Sequence, residues 1–256
     1  MHELARVLSK LGVASRTESG AMIAAGRVTL NGRPARDPAE PADEVRDRIE
    51  VDGRRVTGAK PVYLAMHKPA GVLTTAHDPE GRPTVYGLLP KDLGAWVFPV
   101  GRLDGPTSGL LLFTNDSRVG DLLTNPEIGV PKTYEVKVKG MVSSQTLERL
   151  AGGVALDDGT VTLPAQCRIL SSNPGSTWLE LTIREGKNRQ IRRMGLAVGH
   201  EVVKLCRTRV GPIGLGDLPS GRCRPLAETE IRALQRIGKV TAPRAPRTRR
   251  GHARPD

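Results

Sequence analysis

Residues 101–116 read Gly101-Arg102-Leu103-Asp104-Gly105-Pro106-Thr107-Ser108-Gly109-Leu110-Leu111-Leu112-Phe113-Thr114-Asn115-Asp116. The segment sets one carboxylate, Asp104, in a Gly/Pro-rich turn ahead of an unbroken apolar run. Turns are exposed and carry chemistry more often than strands do. Leu110–Phe113 predicts a fully buried strand, closed by Asn115-Asp116. That strand would hold Asp116 roughly 17 Å away at the usual rise, leaving Asp104 a lone carboxylate.

Upstream, residues 1–57 read as a small separate module. Leu4, Val7, Leu8 and Leu11 share one helical face, and Ser15-Arg16-Thr17-Glu18 is a capping box opening a second helix toward Gly26. Val28 and Leu30 alternate before Asn31-Gly32, a hairpin-turn signal that Ile49-Glu50-Val51-Asp52-Gly53 repeats. Residues 58–61 form a linker, and 62–238 read as one α+β domain. Strands are predicted at 62–66, 96–100, 109–114, 133–139, 166–170, 177–184 and 202–209, and helices at 84–89, 117–124, 144–151, 188–198 and 228–237. Because strands and helices do not alternate strictly, the pattern predicts a mixed, largely antiparallel sheet.

The chain of 256 residues has room for two modest domains, and its formal net charge is +12. Such a balance points to a polyanionic partner. Residues 239–256 carry a net +5 in a Pro/Arg-rich tail expected to be disordered and to add only unspecific phosphate attraction. The remaining +7 falls on the folded part. Aromatic residues are 3% of the chain, which argues against a multi-base stacking platform. No stretch approaches the eighteen or so apolar residues of a membrane span, and no apolar signal region follows Glu3. Cys167, Cys206 and Cys223 suggest no disulfide framework, in keeping with a cytoplasmic location. His67, His77 and His200 have no metal-ligand spacing, so no metal is expected, and no P-loop, dinucleotide or methyl-donor fingerprint is present.

Two further strings stand out. Lys132-Thr133-Tyr134-Glu135-Val136-Lys137-Val138-Lys139 alternates as a strand, with Tyr134, Val136 and Val138 on one face. Residues 184–193, in Arg184-Glu185-Gly186-Lys187-Asn188-Arg189-Gln190-Ile191-Arg192-Arg193, hold five cations and one acid.

Together these strings resemble the RNA pseudouridine synthases that act on ribosomal RNA, of the RsuA/RluB type. Residues 1–57, with Arg6, Arg16 and Arg27 as candidate RNA contacts, resemble the RNA-binding module of the fourth small-subunit ribosomal protein. Thr17 stands where that family often has a second Arg. The resemblance covers nearly all of the chain except its tail, and it implies a catalytic domain of the pseudouridine synthase type.

Such an enzyme breaks a carbon–nitrogen glycosidic bond and rejoins the same ring through carbon, so the reaction needs no cofactor. It needs one carboxylate, a pocket for the detached uracil, and a way to extract the base. A hydrolase would want a second carboxylate to handle water.

The resemblance makes Asp104 the catalytic carboxylate and Arg192 its ion-pair partner. Tyr134 becomes the ring that stacks on the uracil, and Arg102 the side chain that fills the space left by the flipped base. Ile183 matches an apolar pocket wall and equally fits core packing. Lys187, Arg189 and Arg193 read as phosphate contacts or solvated charge. Lys68-Pro69 with Gly71 matches a motif near the pocket that shapes a turn, and Lys68 joins the RNA-binding candidates. The alternative is a non-catalytic RNA-binding ribosome-assembly factor on the same fold. The 107–116 segment and the 199–226 region look closer to the large-subunit branch. They imply large-subunit rRNA as partner, before or during assembly of a pre-ribosomal particle; separately, the enzyme is expected to act as a monomer.

Overall fold

The computed structural model describes the backbone of residues 1–241 and the side chains of residues 1–237. Its first elements follow from the helical spacing and turn signals near the N-terminus. They are β1 (His2–Glu3), α1 (Leu4–Lys10), α2 (Arg16–Ala24), β2 (Val28–Leu30), β3 (Arg33–Pro34), β4 (Pro41–Ala42), β5 (Ile49–Val51) and β6 (Arg54–Arg55). Ser15 accepts from the Glu18 N–H while Glu18 reaches back to the Ser15 N–H, so the capping box is complete. Asn31-Gly32 and Asp52-Gly53 all have positive φ, the geometry of two-residue hairpin loops. They join β2 to β3 and β5 to β6 in a sheet ordered β3-β2-β5-β6. Leu4, Val7, Leu8, Ile23, Val28 and Ile49 close a hydrophobic cluster between these strands and the helix pair.

The second part comprises β7 (Tyr63–Lys68), β8 (Phe98–Pro99), β9 (Ser108–Thr114), α3 (Ser117–Thr124), β10 (Lys132–Lys139), α4 (Ser144–Gly152), β11 (Gln166–Asn173), β12 (Ser176–Ile183), α5 (Gln190–Ala197), β13 (Val202–Val210), β14 (Ile213–Gly214), β15 (Cys223–Pro225) and α6 (Glu228–Thr241). Its mixed sheet runs β11-β12-β10-β13-β9-β7-β15, with β14 on β13 and β8 on β9. Among the described residues β13–β9 is its one parallel strand pairing; the others are antiparallel.

The apolar run of β9 needs two covered faces, and it has them. Leu111 and Phe113 enter one cluster with Tyr134, Val136, Leu150, Ile191 and Met194, beneath α4 and α5. Leu110 and Leu112 enter the other with Val119, Leu123, Val210 and Leu234, beneath α3 and α6. Each such side chain stabilises the sheet by about 1.5–3 kcal/mol relative to exposure. The parallel contact pairs Gly109 with Arg207, and a Cβ at Gly109 would lie 2.3 Å from the Arg207 carbonyl oxygen. Gly109 also has φ +108°, so close approach and backbone conformation both demand glycine there.

Several elements differ from the expectation. The strand predicted at 96–100 shrinks to Phe98–Pro99, and the helix at 84–89 is a single 3-10 turn, Val85–Leu88. α5 starts at Gln190 rather than 188 because Arg189 is left-handed, with φ 47°. β15 was not foreseen: it pairs with β7 at the sheet edge, where its proline is tolerated. α6 runs on to Thr241, while 242–256, most of the expected tail, lies outside the described residues. Among the described residues no helix is long and apolar enough to cross a membrane.

Candidate active site

Asp104 stands in the loop that feeds β9, and that loop is fastened from beneath. The Thr107 N–H donates to the Asp104 carbonyl at 3.0 Å, and Gly71 N–H to Gly105 O at 2.7 Å. The Thr74 hydroxyl donates to Leu103 O at 2.8 Å. The Lys68 ammonium donates to the carbonyls of Pro69 (2.9 Å), Gly105 (3.3 Å) and Thr107 (2.8 Å). Lys68 is 0% exposed. Burial pulls its pKa down to about 8, against an opposing pull from Asp104. Lys68 is therefore no RNA contact. Its place at the end of a strand buried on both faces turns it inward, where it ties down the loop that carries Asp104.

Asp104 opens onto a cleft of about 640 Å³, a volume suited to a nucleotide-sized ligand. Tyr134, 8% exposed, and Ile183 line it from β10 and β12. Arg102, exposed, lines it on the same loop as Asp104. The lining carries seven cations, Arg102, Lys132, Arg184, Lys187, Arg189, Arg192 and Arg207, against two acids, Asp104 and Glu185. Asp116 lies outside this lining: it caps α3 through the Arg118 N–H and accepts from the Tyr63 hydroxyl.

Arg192 enters from α5, but no ion pair joins it to Asp104 among the described residues. Its Nη1 donates to Val202 O at 3.0 Å and its Nη2 to Pro106 O at 3.3 Å, and its buried Nε has no partner. Those carbonyls occupy the guanidinium fork, so Arg192 grips the loop two residues past the carboxylate. Burial and then Arg189 lower its pKa, while Asp104 opposes them.

Arg193, one residue further on, is turned by about 100° on the helix. It pairs with Asp157 and, at 2.7 Å, with Asp158, and it does not line the cleft. The expectation of a phosphate contact there is thus corrected. Lys187 is tied to Glu185, whose buried carboxylate also accepts from the Leu163 N–H (2.8 Å) and the Gln190 amide. Burial would raise the Glu185 pKa, but these donors hold it below the ordinary value. Arg189 is exposed at the rim.

On the first module Arg6 is exposed, Arg16 pairs with Glu3 at 3.1 Å, and Arg27 is bidentate to Asp52 at 2.9 and 2.6 Å. All three are far in sequence from the cleft residues.

Sequence reasoning missed Arg207. It lines the cleft while only 4% exposed, and its Nε donates to Leu110 O at 2.8 Å. The signal was present: Arg207 alternates with Leu205 along β13, placing a guanidinium on the buried face of a strand.

A strand-bound carboxylate loop over a cationic, tyrosine-floored cleft, behind a helix-pair RNA-binding module, defines an RNA-modifying enzyme. Residues 62–197 match the RNA pseudouridylate synthase family and residues 4–49 match the S4 domain. The chain belongs to the RNA pseudouridine synthase family. It is 38% identical over 239 residues to the ribosomal large subunit pseudouridine synthase B of Bacillus subtilis, covering 93% of this chain and 97% of that one. To the enzyme of the same name from Pseudomonas aeruginosa it is 40% identical over 243 residues, covering 91% of this chain and 61% of that one. A crystal structure of a pseudouridylate synthase superposes with a TM-score of 0.67 at 28% identity, covering 91% of this chain and all of that one. These matches favour the enzyme over a non-catalytic assembly factor.

Proposed function

We propose that this enzyme isomerises a specific uridine of large-subunit ribosomal RNA, with Asp104 as its one catalytic carboxylate. The observation that carries the reading is the cleft itself: Asp104, on a loop held by Lys68 and Arg192, lines it together with Tyr134 and seven cations, while its other acid, Glu185, is engaged by Lys187 and Gln190. The target uridine leaves the RNA stack, and Arg102 at the rim takes the space it vacates. Tyr134 stacks on the base, which buries a ring face and keeps its hydroxyl for hydrogen bonding. Asp104 acts as nucleophile or stabilises charge while the glycosidic bond breaks. The detached uracil turns within the cleft and is rejoined through carbon. Ile183 walls the pocket, and Arg192 fixes the loop and supplies positive potential beside the carboxylate. The large-subunit assignment is supported by the relatives named for that activity and by the branch resemblance of the sequence.

Residues 1–57 dock the RNA through Arg6, Arg16 and Arg27, residues 58–61 link, residues 62–238 catalyse, and the basic end from 239 adds phosphate attraction. The protein works as a monomer in the cytoplasm, on rRNA or a pre-ribosomal particle, without a metal. Asp104→Asn tests the reading. It keeps the size of the side chain and removes the charge, so conversion of uridine in transcribed rRNA should fall by many powers of ten. RNA affinity by filter binding should stay within a few-fold. Substantial conversion by the variant would reduce Asp104 to a turn residue.

A further inference from the structure

Arg207 and Lys132 form a pair of cations that the catalytic reading leaves unused. Arg207 opposes Tyr134 across the β10–β13 register, and Lys132 lies two residues before Tyr134, so all three share one face of the sheet. Arg207 is almost fully buried, yet both its terminal NH2 groups lack a hydrogen-bond partner among the described residues; only Nε is engaged, by Leu110 O. Lys132, half-buried, makes one long contact of 3.3 Å to Val130 O. The pair is mutually repulsive: after burial itself, Arg207 is what lowers the Lys132 pKa.

Among the described residues no acid forms an ion pair with either. Of the two carboxylates in the cleft, Glu185 is bound by Lys187 and Gln190, and Asp104 acts electrostatically on Lys68 and Arg192. Two unneutralised cations in a low-dielectric cleft, one presenting a planar fork, suit an anionic group with paired oxygens. Uracil is neutral, so within RNA that group is a phosphate. Lys132 is about 7 Å along the strand from Tyr134, taking the usual rise, which is the reach from a stacked base to its own backbone phosphate.

We propose that Lys132 and Arg207 are a phosphate subsite that grips the backbone of the flipped nucleotide while Tyr134 holds its base, an inference that rests on the cleft being the uridine site. The subsite makes extraction of the base favourable by pairing a buried double charge that stands unpaired in the free protein. It also fixes the sugar relative to Asp104.

The test is a binding measurement, independent of turnover. The probe is a chemically synthesised RNA hairpin with the rRNA sequence around the converted uridine, carrying pseudouridine at that position so that no conversion occurs. One flanking phosphate at a time is replaced by an uncharged methylphosphonate. Neutralising one of the two should weaken wild-type binding about tenfold, as expected for one charge-assisted hydrogen bond. The same replacement should cost Lys132→Met less than twofold, with Lys132→Arg restoring most of the effect. The slope of log affinity against log salt should fall by about 0.7–0.9 in Lys132→Met, the value for a single neutralised phosphate. Arg207→Lys, with folding checked by thermal melting, should show the same loss of coupling in part.

Equal tolerance of both methylphosphonates by wild type would overturn the proposal. So would an equal penalty in wild type and Lys132→Met, which would assign the pair to the base. Failure of the catalytic reading appears elsewhere, as conversion by Asp104→Asn.

Discussion

Replacing Lys68 with Met asks whether this buried ammonium is a loop clamp. Three backbone carbonyls receive its protons, of which Gly105 O keeps a second donor in the Gly71 N–H. Pro69 O and Thr107 O lose the donor that reaches them. At about 1–3 kcal/mol for each buried acceptor left unmet, and with Met sparing the desolvation of a charge, the net loss is about 2–4 kcal/mol. For a chain of this length that lowers the melting temperature by roughly 5–15 °C. The loop carrying Asp104 also loses its anchor, and a displacement near 1 Å costs about 10²-fold in rate.

RNA affinity should hold within twofold, because Lys68 presents no surface. The assays are calorimetric melting, single-turnover conversion of transcribed rRNA, and filter binding over a salt series. Preserved melting and rate with lost affinity would refute the clamp and return Lys68 to the RNA. A pH series adds a sign. Folded Lys68 titrates near 8 and unfolded Lys near 10.5, so between those values the unfolded chain binds more protons. Wild-type stability relative to Lys68→Met should therefore rise with pH across that window.

Gly109→Ala should destabilise by more than about 4 kcal/mol or abolish folding, since its Cβ would meet the Arg207 backbone; yield of folded protein and thermal melting report it, and near-wild-type melting would contradict the parallel pairing. Arg193→Ala should leave the salt slope of RNA binding unchanged while lowering the melting temperature slightly, because its partners are Asp157 and Asp158. Removing residues 1–57 should spare the chemistry but weaken RNA binding, flattening the salt slope by about 0.7–0.9 for each phosphate that module neutralises. An unchanged slope would deny those residues an RNA role.

Local chemistry made much of the fold readable from sequence. The capping box at Ser15–Glu18, the Asn-Gly and Asp-Gly turns, and the apolar block of β9 each depend on neighbours a few residues away. Asp104, Tyr134 and Arg192 were recognisable from their strings, and they do line one cleft. What the sequence hid depends on non-local pairing. Lys68 reads as a strand-end cation of no stated depth until the loop from Leu103 to Thr107 folds over it. Arg192 and Arg193 are neighbours in sequence, and only their angular offset on α5 sends one to the cleft and the other to Asp157. Alternation with Leu205 puts Arg207 on the inward face of β13, but its seat opposite Tyr134 needed the register of β13 against β10, and Cys223–Pro225 is too short and too proline-bound to announce a strand.

The parallel meeting of Ser108–Gly109 with Cys206–Arg207 has a temporal consequence. During synthesis the loop that carries Asp104 leaves the ribosome about a hundred residues ahead of the strand that seats beside it. Closing so long a loop is entropically slow, and pairings of high sequence separation form late. β7 and β9 can pair early as neighbours through the loop at 69–107, but the cleft has neither its Arg207 wall nor its α5 rim until β13 docks. Until that strand docks, the residues that line the cleft are not yet gathered around it. The site is thus completed by the last strand to join the sheet beside β9 rather than by the loop that carries Asp104.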